Sequence, residues 1–330
     1  MYSRPAFVVL LGIALAPALA AASAIAPTAS FSQPAMSPDA SRIAFVSGGA
    51  IWEVAASGGA AHLLVADKGS DSRPLYSPDG SKLAFVSDAT GNGDIYVLDL
   101  ASGALSQVTF DDAAEQLDAW SRDGTWLYLS SNRDNVGGMQ AVYRVRAAGG
   151  TPMPVSLEAY RNESQAAPSP DGKTLALVGG GMGDFQWWRH GRSHIDEGAV
   201  WLLTDDGKHA YSRLTPDDAR ADWPMWAADG KSLFYMSDRS GTENIWHVLR
   251  DGSESALTNF SDGRVLWPTI SADGRAIAFE RDFGIWSVAT GGGAAHAVPI
   301  TLVGAVAGPG NKHETLHGDF GSLALSPDGK

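Results

Sequence analysis

Residues 77–98 read SPDGSKLAFVSDATGNGDIYVL, and the pattern of this stretch recurs along the whole chain. It opens with a turn at residues 77–80, continues through the apolar segment 83–86 and ends on a second apolar segment at 95–98 that carries an aromatic residue. In such a turn proline presets φ, aspartate accepts hydrogen bonds from nearby amides, and glycine takes a positive φ. The stretch therefore predicts a tight turn followed by two short β-strands.

The turn occurs seven times in 330 residues, and its aspartates are separated by 40, 44, 48, 58, 44 and 55 residues. The copies lie at residues 37–40, 77–80, 121–124, 169–172, 227–230, 271–274 and 326–329. An aromatic residue follows each of the first six turns at the same place in the second strand, in the order Trp52, Tyr96, Tyr143, Trp201, Trp246 and Trp286. A period of ~45 residues is typical of propeller blades, because one small sheet cannot bury both of its faces and neighbouring sheets bury them together.

The sequence thus predicts an all-β protein, a six-bladed β-propeller of four-stranded blades over residues 29–300. A β-sandwich is the alternative, but it does not require the same turn and aromatic residue at this spacing. Each unit has its own strands, the first beginning near residues 33–36 and the sixth ending near 295–300. We therefore expect the ring to close by side-chain packing and not by a strand exchanged between the first and last blades.

Residues 1–24 are interpreted as a cleaved signal peptide. Arg4 precedes an apolar run over residues 6–16, and small residues at 18–20 and 22–24 fit the cleavage pattern. The run is shorter than the ~20 residues that a membrane-spanning helix needs. The sequence predicts a periplasmic or secreted protein without a membrane span after cleavage.

Composition excludes several classes of site. The chain has no cysteine, which rules out disulfides, thiol nucleophiles and cysteine-bound metals. Its formal net charge is −13, and an acidic surface repels phosphate backbones, so we expect no nucleic-acid partner.

A long insertion between two strands of the fourth unit, at residues 179–198, is the first candidate contact surface. Long loops on rigid scaffolds often carry function. Its candidate residues for contact with a substrate or partner are Trp187, Trp188, Arg189, His190, Arg192 and His194. The alternative is that the tryptophans simply pack on a neighbouring blade.

The connectors between blades, at residues 65–72, 109–118, 158–163, 216–222 and 261–264, are expected on the same face as this insertion. They hold 12 acidic residues against 4 basic ones. The three acidic residues retained as contact candidates are Asp118, Glu163 and Asp222. An acidic rim would attract cationic peptides or amines; the alternative is ordinary solvated loop charge.

Residues 313–317 read HETLH and match the zinc-peptidase motif H-E-x-x-H. Gly310 and Gly318 bracket the motif and leave little room for the helix that would bring both histidines to one metal. We interpret the segment as a connector, and we predict no metal site, no cofactor and no catalytic residue in this chain.

The repeat resembles the PD40 (TolB-like) propeller repeat, and residues 237–241 and 131–134 belong to that pattern. Three longer stretches, at 161–164, 187–197 and 263–271, look like the N-terminal six-bladed propeller of bacterial tricorn-protease-like peptidases of the S41 type. In that family a second propeller, a PDZ module and a serine peptidase core follow. Residues 301–330 then correspond to a linker and the first turn of a second propeller, at 326–329.

The resemblance implies the non-catalytic propeller region of an exported serine peptidase, which gates or scaffolds the access of peptide substrates. The residues for peptide-bond chemistry would lie in later domains of the parent protein, which could be a homo-oligomer. The alternative is a stand-alone TolB-like periplasmic propeller that binds proteins. In both cases the expected partners are peptides or other protein domains.

Overall fold

The computed structural model describes residues 29–304, except 136, 157, 159–160, 182–197, 205–208 and 217–218. The described residues form 25 β-strands and no helix, so none of them provides a helix that could cross a membrane. The strands form six sheets around a ring, which confirms the predicted six-bladed propeller of four-stranded blades.

Each blade consists of four consecutive antiparallel strands, counted from the axis outward. Blade 1 contains β1 (Ser32–Met36), β2 (Arg42–Ser47), β3 (Ala50–Ala55) and β4 (Gly59–Val65), and blade 2 contains β5 (Asp71–Tyr76), β6 (Lys82–Ser87), β7 (Asp94–Asp99) and β8 (Leu105–Gln107). Blade 3 contains β9 (Glu115–Trp120), β10 (Trp126–Ser131), β11 (Ala141–Arg146) and β12 (Met153–Pro154), and blade 4 contains β13 (Asn162–Pro168), β14 (Thr174–Gly180), β15 (Ala199–Thr204) and β16 (Ala210–Arg213). Blade 5 contains β17 (Ala221–Trp226), β18 (Ser232–Ser237), β19 (Asn244–Leu249) and β20 (Glu254–Ala256), and blade 6 contains β21 (Leu266–Ile270), β22 (Ala276–Arg281), β23 (Gly284–Ala289) and β24 (His296–Ala297).

The hydrophobic core is divided among the interfaces between blades. Six clusters of buried side chains occur, each drawn mainly from two neighbouring blades. The largest fully buried side chains include Trp52 of β3 and Phe45, Phe85 and Phe279 of the second strands. Burying such aromatic side chains contributes about 1.5–3 kcal/mol each, so packing between blades holds the ring together.

The six repeated turns join the first and second strands of their blades and lie on one face of the ring, here called the turn face. In the second blade the Ser77 hydroxyl donates to Asp79 at 2.6 Å and accepts the amide of Lys82 at 2.9 Å. Gly80 has φ +71°, as the turn requires. The repeated Ser-x-Asp-Gly pattern is thus explained by a small closed set of hydrogen bonds.

The closure of the ring differs from the expectation in one respect. Among residues 29–304, as far as they are described, no strand is exchanged, and blades 1 and 6 do pack together through a shared apolar cluster. However, a further strand, β25 (Ile300–Leu302), pairs in parallel with β4 on the outer edge of blade 1. Packing is therefore supplemented by backbone hydrogen bonds, which cover an edge strand that would otherwise stay open.

This closure depends on a close approach at Gly58. Gly58 lies in the turn before β4 and has φ +88°. A Cβ atom at this residue would lie 2.5 Å from the carbonyl oxygen of Pro299. The sequence pattern missed β25 because a three-residue strand after a complete blade carries no repeat signal.

Candidate functional site

The inner strands of the six blades face the axis, and each contains a β-bulge. In five blades the bulge holds a residue other than glycine at positive φ: Gln33, Arg73, Gln165, Trp223 and Trp267, with φ between 49° and 55°. Such backbone is uncommon for non-glycine residues and marks strained, often functional positions. In blade 3 the residue at the bulge is Asp118.

Glutamine side chains stabilise two of these bulges. The amide of Arg73 donates to the side-chain oxygen of Gln33 in the neighbouring blade at 2.6 Å. The amide of Trp223 donates in the same way to Gln165, also at 2.6 Å. The amides at these bulges cannot form hydrogen bonds within the sheet. A glutamine side chain of the preceding blade accepts their hydrogen bonds instead.

Arg73 crosses the axis of the ring. Its guanidinium carbon lies 4.5 Å from the ring centre of Trp223 in blade 5 and 4.9 Å from that of Trp267 in blade 6. Its Nε and Nη2 donate to the carbonyl oxygen of Leu117 in blade 3, at 3.2 and 3.1 Å. In a six-membered ring blade 2 stands opposite blade 5, so this contact fills the axis. We call Arg73, Trp223 and Trp267 the axial plug.

A cavity of about 200 Å³ lies between the axial plug and the turn face. Its wall is mostly apolar and includes Met36, Leu75, Trp120 and Trp226. The prolines of the repeated turns, Pro38, Pro78 and Pro170, line the rim. Convergent apolar walls with a few polar groups are the usual character of a ligand pocket.

Arg122 spans the rim of this cavity. It occupies the second position of the blade 3 turn, where blades 1, 2 and 4 have proline. Its Nη1 donates to the carbonyl oxygen of Ala272 in the turn of blade 6 at 2.8 Å. Blades 3 and 6 are opposite each other in the ring, so the exposed side chain bridges the opening.

Two of the three acidic contact candidates are buried, whereas the connector residues Asp67, Asp112 and Asp262 are exposed. Glu163 is 0% exposed and Asp222 is 1% exposed, and burial raises the pKa of both. The Tyr211 hydroxyl donates to Glu163 at 3.3 Å, and Asp222 pairs with Arg220. Two further carboxylates from the connectors, Asp71 and Glu115, are also buried.

Asp118 lies inside the channel and not in a connector. It is partly buried in β9 and lines the cavity, and burial raises its pKa to about 6. Its carboxylate accepts the Ser130 hydroxyl and, at 2.9 Å, the Gln116 amide. The three carboxylates thus sit in separate surroundings, each with its own partners, and their role in binding stays a prediction.

Several predicted features lie outside the described residues. They are the signal peptide, the HETLH motif, the seventh turn and the six insertion residues Trp187, Trp188, Arg189, His190, Arg192 and His194. Among the residues that the structure does describe, no group of three or more histidine or acidic side chains could hold a metal ion.

A family model described as the tricorn protease N-terminal beta propeller domain matches residues 28–294, which include every strand of the six blades except β24. The chain belongs to this family. This match covers most of the chain and confirms the family that the sequence of the repeats predicted.

Solved structures agree with this fold. The crystal structure of the tricorn protease is similar with a TM-score of 0.68 and 19% identity, over 82% of this chain and 26% of that one. A TolB structure from Agrobacterium tumefaciens has a TM-score of 0.59 and 23% identity, over 72% of this chain and 83% of that one. An uncharacterized protein of Agrobacterium fabrum is 30% identical over 161 residues, which is 48% of each protein. The chain therefore aligns with about half the length of this curated relative.

The residues of the axial plug escaped the sequence analysis although a signal was present. Four inner strands carry proline directly after the bulged residue, in the pairs Gln33-Pro34, Arg73-Pro74, Trp223-Pro224 and Trp267-Pro268. A proline repeated inside inner strands indicates a break in the strand ladder. It could have located the bulges but not the contacts among them.

Proposed function

We propose that this chain is the non-catalytic propeller region of an exported, tricorn-like S41 serine peptidase and that it scaffolds the access of peptide substrates. The observation that carries this proposal is the family match over residues 28–294, which covers nearly the whole ring. The catalytic residues of such a protein would belong to domains other than this propeller.

The geometry favours a propeller that holds peptides or partner domains on its surface over one that passes peptides through its centre. The axial plug fills the centre of the ring, so an extended peptide has no straight path from one face to the other. Peptides would instead bind at the turn face or beside the blade 4 insertion, and partner domains would contact the rim. We propose the periplasm or the extracellular space as the location, from the signal-like N-terminus and the likeness to TolB.

A second candidate is a TolB-like periplasmic propeller that binds proteins without a peptidase. The TolB likeness favours it, since the aligned region covers 83% of that structure but only 26% of the tricorn protease. Both candidates share the same propeller and differ in what accompanies it.

The native polypeptide separates the two. Antibodies raised against the purified chain would be used to isolate the protein from periplasmic and culture fractions of the source cells, and its mass and peptides would be determined. We expect a polypeptide well above 34.6 kDa that cleaves peptides and is inactivated by a serine-directed reagent. A polypeptide of about this mass without peptidase activity would instead establish the binding module. Recovery from cytosol with Met1 retained would contradict export.

A further inference from the structure

The axial cavity on the turn face contains a buried cation that no carboxylate contacts directly, although Asp118 attracts it from across the cavity. Arg73 is 6% exposed and lines the cavity, yet no carboxylate of the described residues lies within ion-pair distance of its guanidinium. Burial lowers its pKa to about 10, so the side chain stays protonated at neutral pH. A buried charge without a direct ion pair is costly, and proteins normally pair it.

The contacts of Arg73 compensate for only part of this cost. The two tryptophan faces and the Leu117 carbonyl hold the guanidinium carbon, Nε and Nη2 in place. Nη1 makes no hydrogen bond to any described residue. Since a guanidinium presents its donors in a fixed planar fork that matches a carboxylate, the immobilised Arg73 offers a preformed anion contact.

The lining of the cavity as a whole is positively charged, like Arg73. Its charged lining residues are Arg73, Arg122 and Asp118, which gives a net charge of +1 by 2 − 1 in a protein of net charge −13. The Asp118 carboxylate already accepts donors from Ser130 and Gln116. Asp118 attracts Arg73 electrostatically, but the hydrogen bonds of the guanidinium go to Leu117, so a ligand carboxylate can still contact Arg73 directly.

The walls between the two arginines are apolar. Proline, tryptophan, leucine and methionine side chains dominate them, and the volume of about 200 Å³ suits a small group. Arg122 holds the rim through a single hydrogen bond to Ala272 and is exposed, so a ligand can displace it and pair with its guanidinium.

From these observations we propose that the cavity is a blind binding pocket for an apolar group that carries a carboxylate. Arg73 binds the carboxylate at the floor, the proline and tryptophan wall packs against the apolar part, and Arg122 closes over the ligand. The C-terminus of a peptide with an apolar last residue and a free apolar carboxylic acid both have this chemistry. The pocket is complete within the ring, so the inference stands apart from the function proposed above.

The test compares matched ligands on the full 330-residue chain. N-acetyl-alanyl-leucine, its C-terminal amide and 4-methylpentanoate are titrated, and binding is followed by calorimetry and by tryptophan fluorescence, since Trp223 and Trp267 flank Arg73. We expect saturable binding of the peptide acid, and at least about tenfold weaker binding of the amide, because one strong charge-assisted contact is lost. Tighter binding of the peptide acid than of 4-methylpentanoate assigns the site to peptide termini, and the reverse order assigns it to free acids.

Two variants locate the binding. Arg73→Met retains an apolar side chain between the tryptophans and is expected to abolish the preference for acid over amide. Arg122→Pro restores the residue of the other turns, leaves the floor intact and is expected to preserve that preference with faster association. Arg146→Met is the matched control, because Arg146 packs over Trp126 at 4.4 Å and neither residue lines the cavity.

Equal affinity for acid and amide in the unmodified chain would overturn the proposal without requiring any variant to fold. So would an unchanged preference in a folded Arg73→Met protein, or the absence of binding by both acids at millimolar concentration.

Discussion

The repeated turns and the bulges of the inner strands are both present in every blade, but they differ in what they repeat. The turns use nearly the same side chains six times, and each turn satisfies its own polar groups locally. The bulges repeat only their backbone shape, while their side chains change from glutamine to arginine, aspartate and tryptophan. The turns therefore determine the fold, and the bulges are where one blade can differ from the next and create a pocket.

Departures within the turns support this distinction. The turn of blade 1 has Ala40 at φ +57° where five others have glycine, and that of blade 5 has Ala227 in place of the first serine. The first substitution loses a glycine and the second loses a serine hydroxyl, but both blades keep their four strands. Arg122 is different, since it reaches across the ring to Ala272.

The largest expected effect comes from comparing a buried aspartate of an inner strand, next to a bulge, with an exposed aspartate of a turn. Burial raises the pKa of Asp71, the first residue of β5, to about 7, and neither of its carboxylate oxygens has a hydrogen-bond partner among the described residues. The nearby Ser87 hydroxyl donates to Asp67 instead. A raised pKa means that the folded state favours the protonated form, so stability falls as the pH rises from about 4 to about 7.

We expect Asp71→Asn to raise the free energy of unfolding by about 2–3 kcal/mol at pH 8, after allowance for solvent screening, and to have little effect near pH 4. Urea denaturation at pH 4, 6 and 8 measures this. Asp79→Asn is the control from the turns, where hydrogen bonds from Ser77 and Ser81 lower the aspartate pKa to about 2, so this variant should lose stability at pH 8. If both variants shift stability in the same direction at pH 8, the distinction between the regions is wrong.

Removal of a bulge acceptor has the next largest expected effect. Gln165→Leu keeps the volume of the side chain but leaves the amide of Trp223 without its partner at 2.6 Å. An unsatisfied buried donor costs about 1–3 kcal/mol, so we expect a loss of about 2 kcal/mol in chemical denaturation. Gln33→Leu removes the equivalent bond to Arg73 and should cost a similar amount. An unchanged midpoint in both variants would show that water replaces the glutamine.

The smallest expected effect lies in the turns. Gly80 and Ala40 occupy the same turn position at φ +71° and +57°, and a Cβ at Gly80 would meet Pro38 only at an ordinary distance of 3.6 Å. Backbone strain alone therefore distinguishes them. We expect Gly80→Ala to lower and Ala40→Gly to raise the free energy of unfolding by about 1 kcal/mol each. Thermal unfolding of the two variants and their double mutant would show additive shifts, because no hydrogen bond joins the described turns of blades 1 and 2.

The sequence by itself determined the number of blades, the turn positions and the class of repeat, because each of these depends on residues close together in the chain. The Ser-x-Asp-Gly turn forms hydrogen bonds among its own residues, and an aromatic residue recurs at the same place in the third strand of every blade. Tertiary structure decided what happens across the ring. The contacts of Arg73 with Trp223 and of Arg122 with Ala272 each join residues 150 positions apart in the chain. The pairing of β25 with β4 joins residues more than 200 positions apart. No local pattern encodes such contacts, because they exist only once the ring has closed and brought opposite blades to a common axis.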